Sequence, residues 1–108
     1  MSELRLGLAQ LNPTVGDLLG NSQKILQAAK HCAFQEISLL ITPELSLCGY
    51  PPQDLLLDPL FVENCQTALH HLALRIPPKI GVLVGTIFPN PDWWQTGEKP
   101  LYNGAALL

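Results

Sequence analysis

An α/β fold with a parallel sheet is what this sequence predicts, and three observations carry the prediction. Leu4, Leu6 and Leu8 alternate with Arg5, Gly7 and Ala9, the period-two signal of a strand. From about Asn21 the period changes, and Ile25, Leu26, Ala28, Ala29, Cys32 and Ala33 fall on one helical face. An apolar run over residues 37–42 then reads as a strand buried on both faces. Strand, helix and strand in this order make a βαβ unit, so the first two strands are expected to run parallel.

The elements follow in turn. Asn12-Pro13 and Gly16-Asp17 break the first strand and make a loop, and Asn21 or Ser22 is the expected cap of the first helix. Asp58-Pro59 reads as an N-cap with proline at the first helical position. Phe61, Cys65, Ala68, Leu69, Leu72 and Ile76 trace the buried stripe of this second helix, and Pro77-Pro78 ends it. Residues 80–87 are expected to form a third strand, residues 89–100 a turn-rich excursion carrying Trp93 and Trp94, and residues 102–108 a fourth strand. A chain that stops on Ala105-Ala106-Leu107-Leu108, inside an apolar strand, leaves a sheet edge uncovered, and truncation of a longer domain is the expectation.

Composition points the same way. The 108 residues suffice for one domain at most, yet only 14% are charged against 47% hydrophobic. Soluble domains carry roughly 25% charged residues. Part of the surface is therefore expected to be covered by further chain, a partner subunit, or both. A net charge of -3 offers no footprint for nucleic acid or an anionic membrane. No apolar run approaches the roughly 20 residues of a membrane span, and the start, Met1-Ser2-Glu3-Leu4-Arg5, lacks the regions of a secretory signal. Cys32, Cys48 and Cys65 are odd in number and show no CxxC spacing, so reduced thiols in the cytoplasm are expected, with no zinc site.

Glu44 is the leading candidate for chemistry. It stands just beyond the carboxyl end of the second strand, where sites form in open α/β sheets. A carboxylate fixed there and half removed from water suits a general base, although strand-end carboxylates also cap turns or pair with a lysine. The connection over residues 43–58 far exceeds the roughly 2–6 residues usual between strand and helix, and long ordered loops tend to be functional. Cys48 has no basic neighbour in this stretch and reads as an inert thiol, while Cys32 and Cys65 read as core. His70 and His71 are adjacent and point about 100° apart on a helix, so they cannot chelate one metal; His31 joins them as a helix-side residue. Neither nucleotide-binding glycine fingerprint is present. Gly81 and Gly85 are expected to allow close helix packing or a bulge. Trp93-Trp94 is either an interface anchor or a hairpin tip folded onto its own domain.

Several segments together carry a family resemblance. They are Leu8-Ala9-Gln10-Leu11-Asn12-Pro13-Thr14-Val15-Gly16-Asp17 with Gly20-Asn21, Pro43-Glu44-Leu45, Gly49-Tyr50-Pro51-Pro52-Gln53-Asp54-Leu55-Leu56, Val84-Gly85, and Leu101-Tyr102-Asn103-Gly104-Ala105-Ala106. This pattern resembles the nitrilase (carbon–nitrogen hydrolase) superfamily, and within it the branch of glutaminase domains that open glutamine-dependent NAD synthetases. Thr42 departs from the family, which more often has Phe before Pro-Glu. The resemblance implies a partial α-β-β-α sandwich over residues 1–108, with the remainder of the glutaminase domain and the synthetase domain lying beyond this chain.

It also implies a Glu–Lys–Cys triad that hydrolyses the side-chain amide of glutamine, with Glu44 as the base. Lys99 and Cys48 do not match the family's lysine and nucleophile, so the chain is expected to hold one member of three and to be inactive alone. The implied partners are glutamine, a C-terminal synthetase domain using ATP and magnesium, and further copies in a homo-oligomer, with no cofactor in this chain. Two rival readings remain at this point: a stand-alone nitrilase-type amidase, and a non-catalytic interaction fragment.

Overall fold

Strands and helices form where the two apolar periods place them. This computed structural model describes residues 4–108; Met1, Ser2 and Glu3, read above for a signal, lie outside the described residues. The order is β1 (Leu6–Leu8), α1 (Leu18–Phe34), β2 (Leu39–Ile41), a 3-10 turn (Gln53–Leu57), α2 (Pro59–Arg75), β3 (Gly81–Pro89), a short α3 (Trp93–Thr96) and β4 (Leu101–Leu107). One sheet holds the strands in the order β1-β2-β3-β4. β1 and β2 run parallel as the βαβ pattern requires, β2 and β3 likewise, and β4 returns antiparallel on β3. The fold is α/β as expected, with both long helices against one face of the sheet.

Ile25, Leu26, Ala29 and Cys32 of α1 meet Leu72 of α2 and Leu40, Val82 and Val84 of the sheet in the main core. A second cluster joins Leu45, Cys48, Cys65 and Ile87, with Phe61 and Val62 packed on it. The apolar stripe read for α2 is thus the face that packs inward, and Asp58 caps that helix by accepting from the Leu60 N–H at 2.9 Å. No described helix is long and apolar enough to cross a membrane.

The opposite face of the sheet corrects one expectation. Within residues 37–42 only Leu40 is fully buried, because the helices cover a single face. Register places Leu6, Leu8, Leu39, Ile41, Leu83 and Leu107 together on the other face. There Leu6, Leu8 and Leu107 are 52%, 76% and 69% exposed. The alternating leucines that announced β1 point away from the helices, and Gly7 between them faces Cys32 and Leu40.

A second correction concerns the start of α1. The cap is Asp17, which accepts from the Gly20 N–H at 3.0 Å, so the helix begins at Leu18 and not after Asn21 or Ser22. Asp17 already stands in the loop with an oxygen one turn below a free amide, and this leaves Asn21 inside the first turn. Asn21 is buried and acts as a brace between two loops. Its Oδ1 accepts from the Thr14 N–H at 2.8 Å, and its Nδ2 donates to the carbonyls of Thr14 (2.8 Å) and Leu47 (2.9 Å). Asn21→Ala strands these backbone groups away from water and is expected to cost about 3–5 kcal/mol of stability. Urea unfolding checks this; a midpoint equal to the parent's contradicts the brace.

Candidate functional site

Backbone chemistry dictates where Glu44 stands. Beyond Ile41 the Thr42 N–H still reaches the Leu83 carbonyl at 3.0 Å, but Pro43 has no N–H and the ladder stops. Leu45 then turns the chain with φ at +49°, a left-handed value that costs a bulky residue about 1–2 kcal/mol and persists only where its surroundings enforce it. They do so here. The Ser46 N–H bonds the Pro43 carbonyl at 3.2 Å, the Gly49 N–H bonds the Leu45 carbonyl at 2.8 Å, and the Leu47 N–H bonds the Gly85 carbonyl at 3.1 Å. The Leu45 side chain is buried in the second core cluster.

Two glycines allow this turn to sit so deep. Gly85 of β3 lies under it: a Cβ there would come 2.5 Å from the Pro43 carbonyl oxygen and 2.7 Å from the Leu45 nitrogen. The expectation of close helix packing or a bulge at Gly85 is therefore replaced by close approach of the Pro43-Glu44-Leu45 backbone, with the β3–β4 register unbroken there. Gly49, with φ at +86°, lies against the β1–α1 loop, where a Cβ would fall 2.6 Å from the Val15 Cα. The Gly16 N–H completes the junction on the Cys48 carbonyl at 2.8 Å.

Thr42, the departure from the family pattern, also has its place. Its hydroxyl donates to the Leu83 carbonyl at 2.9 Å, lies 2.7 Å from the Ser46 hydroxyl and accepts from the Gly85 N–H at 3.3 Å. Polar bonds thus hold the ground beneath the carboxylate.

The side chain of Glu44 itself is exposed, which corrects the expectation of a half-buried carboxylate walled off by the long loop. That loop turns inward instead: residues 45–49 are all buried in the domain. The carboxylate is nevertheless held, because Asn103 of β4 donates from Nδ2 to Glu44 Oε1 at 2.5 Å. Two surface hollows, one between α1 and α2 and one between α2, Pro89 and Leu101, are not lined by Glu44.

The other candidates separate clearly from this site. Cys48 is fully buried and burial pushes its thiol up; burial and the neighbouring Cys48 push Cys65 up to about 12. Neither is a ready nucleophile, since the thiolate is the reactive form. Cys32 is buried in the main core, and His31, His70 and His71 are exposed on their helices. Among the described residues no three His, Cys, Asp or Glu side chains gather as a metal site. Trp93 and Trp94 lie in α3 at the β3–β4 connection, 47% and 68% exposed. Sequence reasoning missed Asn21, Ser46 and Asn103 as parts of the site. For Asn103 a signal existed: a polar residue interrupting an otherwise apolar strand, a position where asparagine is disfavoured.

Comparison with known proteins gives this geometry a context. A family model described as carbon–nitrogen hydrolase matches residues 5–108. A glutamine-dependent NAD(+) synthetase of Synechocystis is 48% identical over 103 residues, which cover 95% of this chain and 18% of that relative. The crystal structure of a glutamine-dependent NAD(+) synthetase from Cytophaga hutchinsonii aligns with a TM-score of 0.85 at 26% identity, over 99% of this chain and 17% of its own. An amidase from Nesterenkonia sp. aligns less well, with a TM-score of 0.67 at 26% identity, over 81% of this chain and 33% of its own. The chain therefore spans about a fifth of the length of the synthetases it resembles. The family match runs unbroken from β1 to β4 and includes the Pro43-Glu44-Leu45 turn, and the chain belongs to the carbon–nitrogen hydrolase family.

Proposed function

We propose that this chain forms the first part of the glutaminase domain of a glutamine-dependent NAD synthetase, with Glu44 as the general base. The observation that carries this reading is the placement of Glu44: an exposed carboxylate at a strand end, on a turn fixed from below and held by one neutral donor. A base in that state has an oxygen free to take a proton, and its backbone position does not drift.

The chemistry then follows. The carboxylate takes the proton of a cysteine thiol, and the sulfur attacks the side-chain amide carbon of glutamine. A lysine ammonium steadies the oxyanion, ammonia leaves with the transferred proton, and a thioester remains. Water attacks the thioester, with Glu44 again accepting a proton; the C–S bond breaks, glutamate is released, and the proton returns from Glu44 to the cysteine sulfur. Glutamine and water thus give glutamate and ammonia, and the ammonia passes to the C-terminal synthetase domain for amidation of nicotinic acid adenine dinucleotide. ATP and magnesium bind in that domain in this reading, and no described side chain of this chain is assigned to them. The parent protein is a cytoplasmic homo-oligomer in the same reading.

The lysine and cysteine come from the rest of the domain. Cys48 is unsuited by burial and by its raised pKa, and Lys99 lies in the exposed β3–β4 connection, before the Leu101-Tyr102-Asn103 strand that the family's lysine follows. The 108-residue chain incubated with glutamine is expected to release no glutamate above the blank. The longer synthetase given amide-labelled glutamine is expected to carry the label into the new amide of its product. Glutamate release by the chain alone, or an unlabelled product, overturns the reading. The weaker alignment with the amidase supports the synthetase branch over a stand-alone amidase.

A further inference from the structure

The contact between Glu44 and Asn103 has to cross a strand. β2 and β4 flank β3 in the sheet, and neighbouring strands lie about 4.8 Å apart, so the two backbones are roughly 10 Å from each other. The features that close this gap are all local. Gly85 has no side chain, so the Pro43–Leu45 backbone lies directly on β3. The left-handed turn at Leu45 follows Glu44 immediately. On β4, Ala105 stands opposite Gly85 and Asn103 opposite Ile87, so the residue two positions after the asparagine, on the same side of the strand, is small.

Nothing local explains an asparagine at this place. Asn103 is exposed and contributes to neither core cluster, and asparagine is a poor strand former. Among the described residues its amide is the one side-chain hydrogen-bond partner of Glu44. The chemistry of the pair suits a positioning role. An amide N–H is a donor that does not itself titrate. It can hold Oε1 without contending for the proton, and it leaves Oε2 free. A lysine or arginine at the same place would tie the carboxylate into an ion pair and weaken it as a base.

We propose that Asn103 is the positioning residue of the base, fixing the orientation of the Glu44 carboxylate from across β3. This inference rests on the reading of Glu44 as the base, and its test separates the two. In the 108-residue chain, Glu44→Gln is expected to move the NMR signals of the Asn103 side-chain amide more than those of any other side-chain amide. An Asn103 amide that stays in place overturns the contact. In the longer synthetase, Asn103→Ala is expected to lower kcat for glutamine hydrolysis about 10- to 100-fold, with KM held within about twofold.

Asn103→Asp supplies the readout that a merely structural role would not move. It is isosteric and exposed, so packing is unchanged, yet it sets a second carboxylate against the first. Its kcat is expected to fall at least as far as that of the alanine variant. Either variant keeping kcat within about twofold overturns the positioning role. If Glu44→Gln abolishes hydrolysis while both Asn103 variants retain it, only this inference falls. If Glu44→Gln leaves hydrolysis intact, the reading of the base falls first.

Discussion

Glu44→Gln in the longer synthetase is expected to lower glutamine-dependent synthesis by about 100- to 10,000-fold, the usual worth of a positioned general base. Synthesis from free ammonia is expected to stay near the parent level, because the substitution leaves untouched the nucleotide chemistry proposed for the other domain. The reason is that the glutamine side chain keeps the shape and a carbonyl oxygen able to accept from Asn103 Nδ2, but it cannot take a proton at neutral pH. The turn beneath is unaffected: its bonds run through the backbone of Pro43, Leu45, Leu47 and Gly49 and through the hydroxyls of Thr42 and Ser46. Parallel assays with glutamine and with ammonium salt decide the matter. Equal loss of both activities contradicts a role confined to amide hydrolysis.

Gly85→Ala is expected to have the largest effect among changes that leave every polar group in place. The new methyl would meet two backbone atoms, the Pro43 oxygen and the Leu45 nitrogen, at 2.5 and 2.7 Å, and backbone cannot rotate aside as a side chain can. Relief requires the turn to lift from β3, which breaks the Leu47 N–H bond to the Gly85 carbonyl and loosens the Thr42 hydroxyl bond to the Gly85 N–H. The expected cost is about 2–3 kcal/mol, at the upper end of overpacking effects. A domain of this size then melts roughly 10–20 °C lower. The same lift carries Glu44 away from Asn103, so glutamine-dependent activity in the longer protein is expected to fall even below the melting temperature. Calorimetry and the glutamine assay test both halves; an unchanged melting temperature contradicts the tight approach.

What could be read from the sequence was local. The Asp58-Pro59 start of α2, its buried stripe and the parallel β1–β2 pair followed from caps and periods that act within a few residues. Even there one local rule misled: Asn21 has the right chemistry for a cap, but Asp17 reaches the free amide first, and the helix passes through Asn21. Glu44 was singled out for a local reason too, since it follows closely on an apolar strand. Its pairing with Asn103 could not be read that way. Asn103 is separated from it by 59 residues, and the contact depends on strand order and on Gly85, which no periodicity reports. The exposure of Glu44 was hidden for a similar reason. A long loop can fold over a strand end or into the core, and the burial of Leu45, Leu47 and Cys48 is what sends it inward.

The apolar face of the sheet opposite the helices has a thermodynamic consequence. Full burial of a leucine is worth about 1.5–3 kcal/mol, and Leu6, Leu8 and Leu107 have much of that gain still open to them in this structure. A layer laid over them would add to the stability of β1, β2, β3 and β4 at once, since all four strands contribute to the face. Such a layer and this sheet would then melt together as one cooperative unit, and the rigidity of the Glu44 turn would rise with the covering of a surface it does not touch.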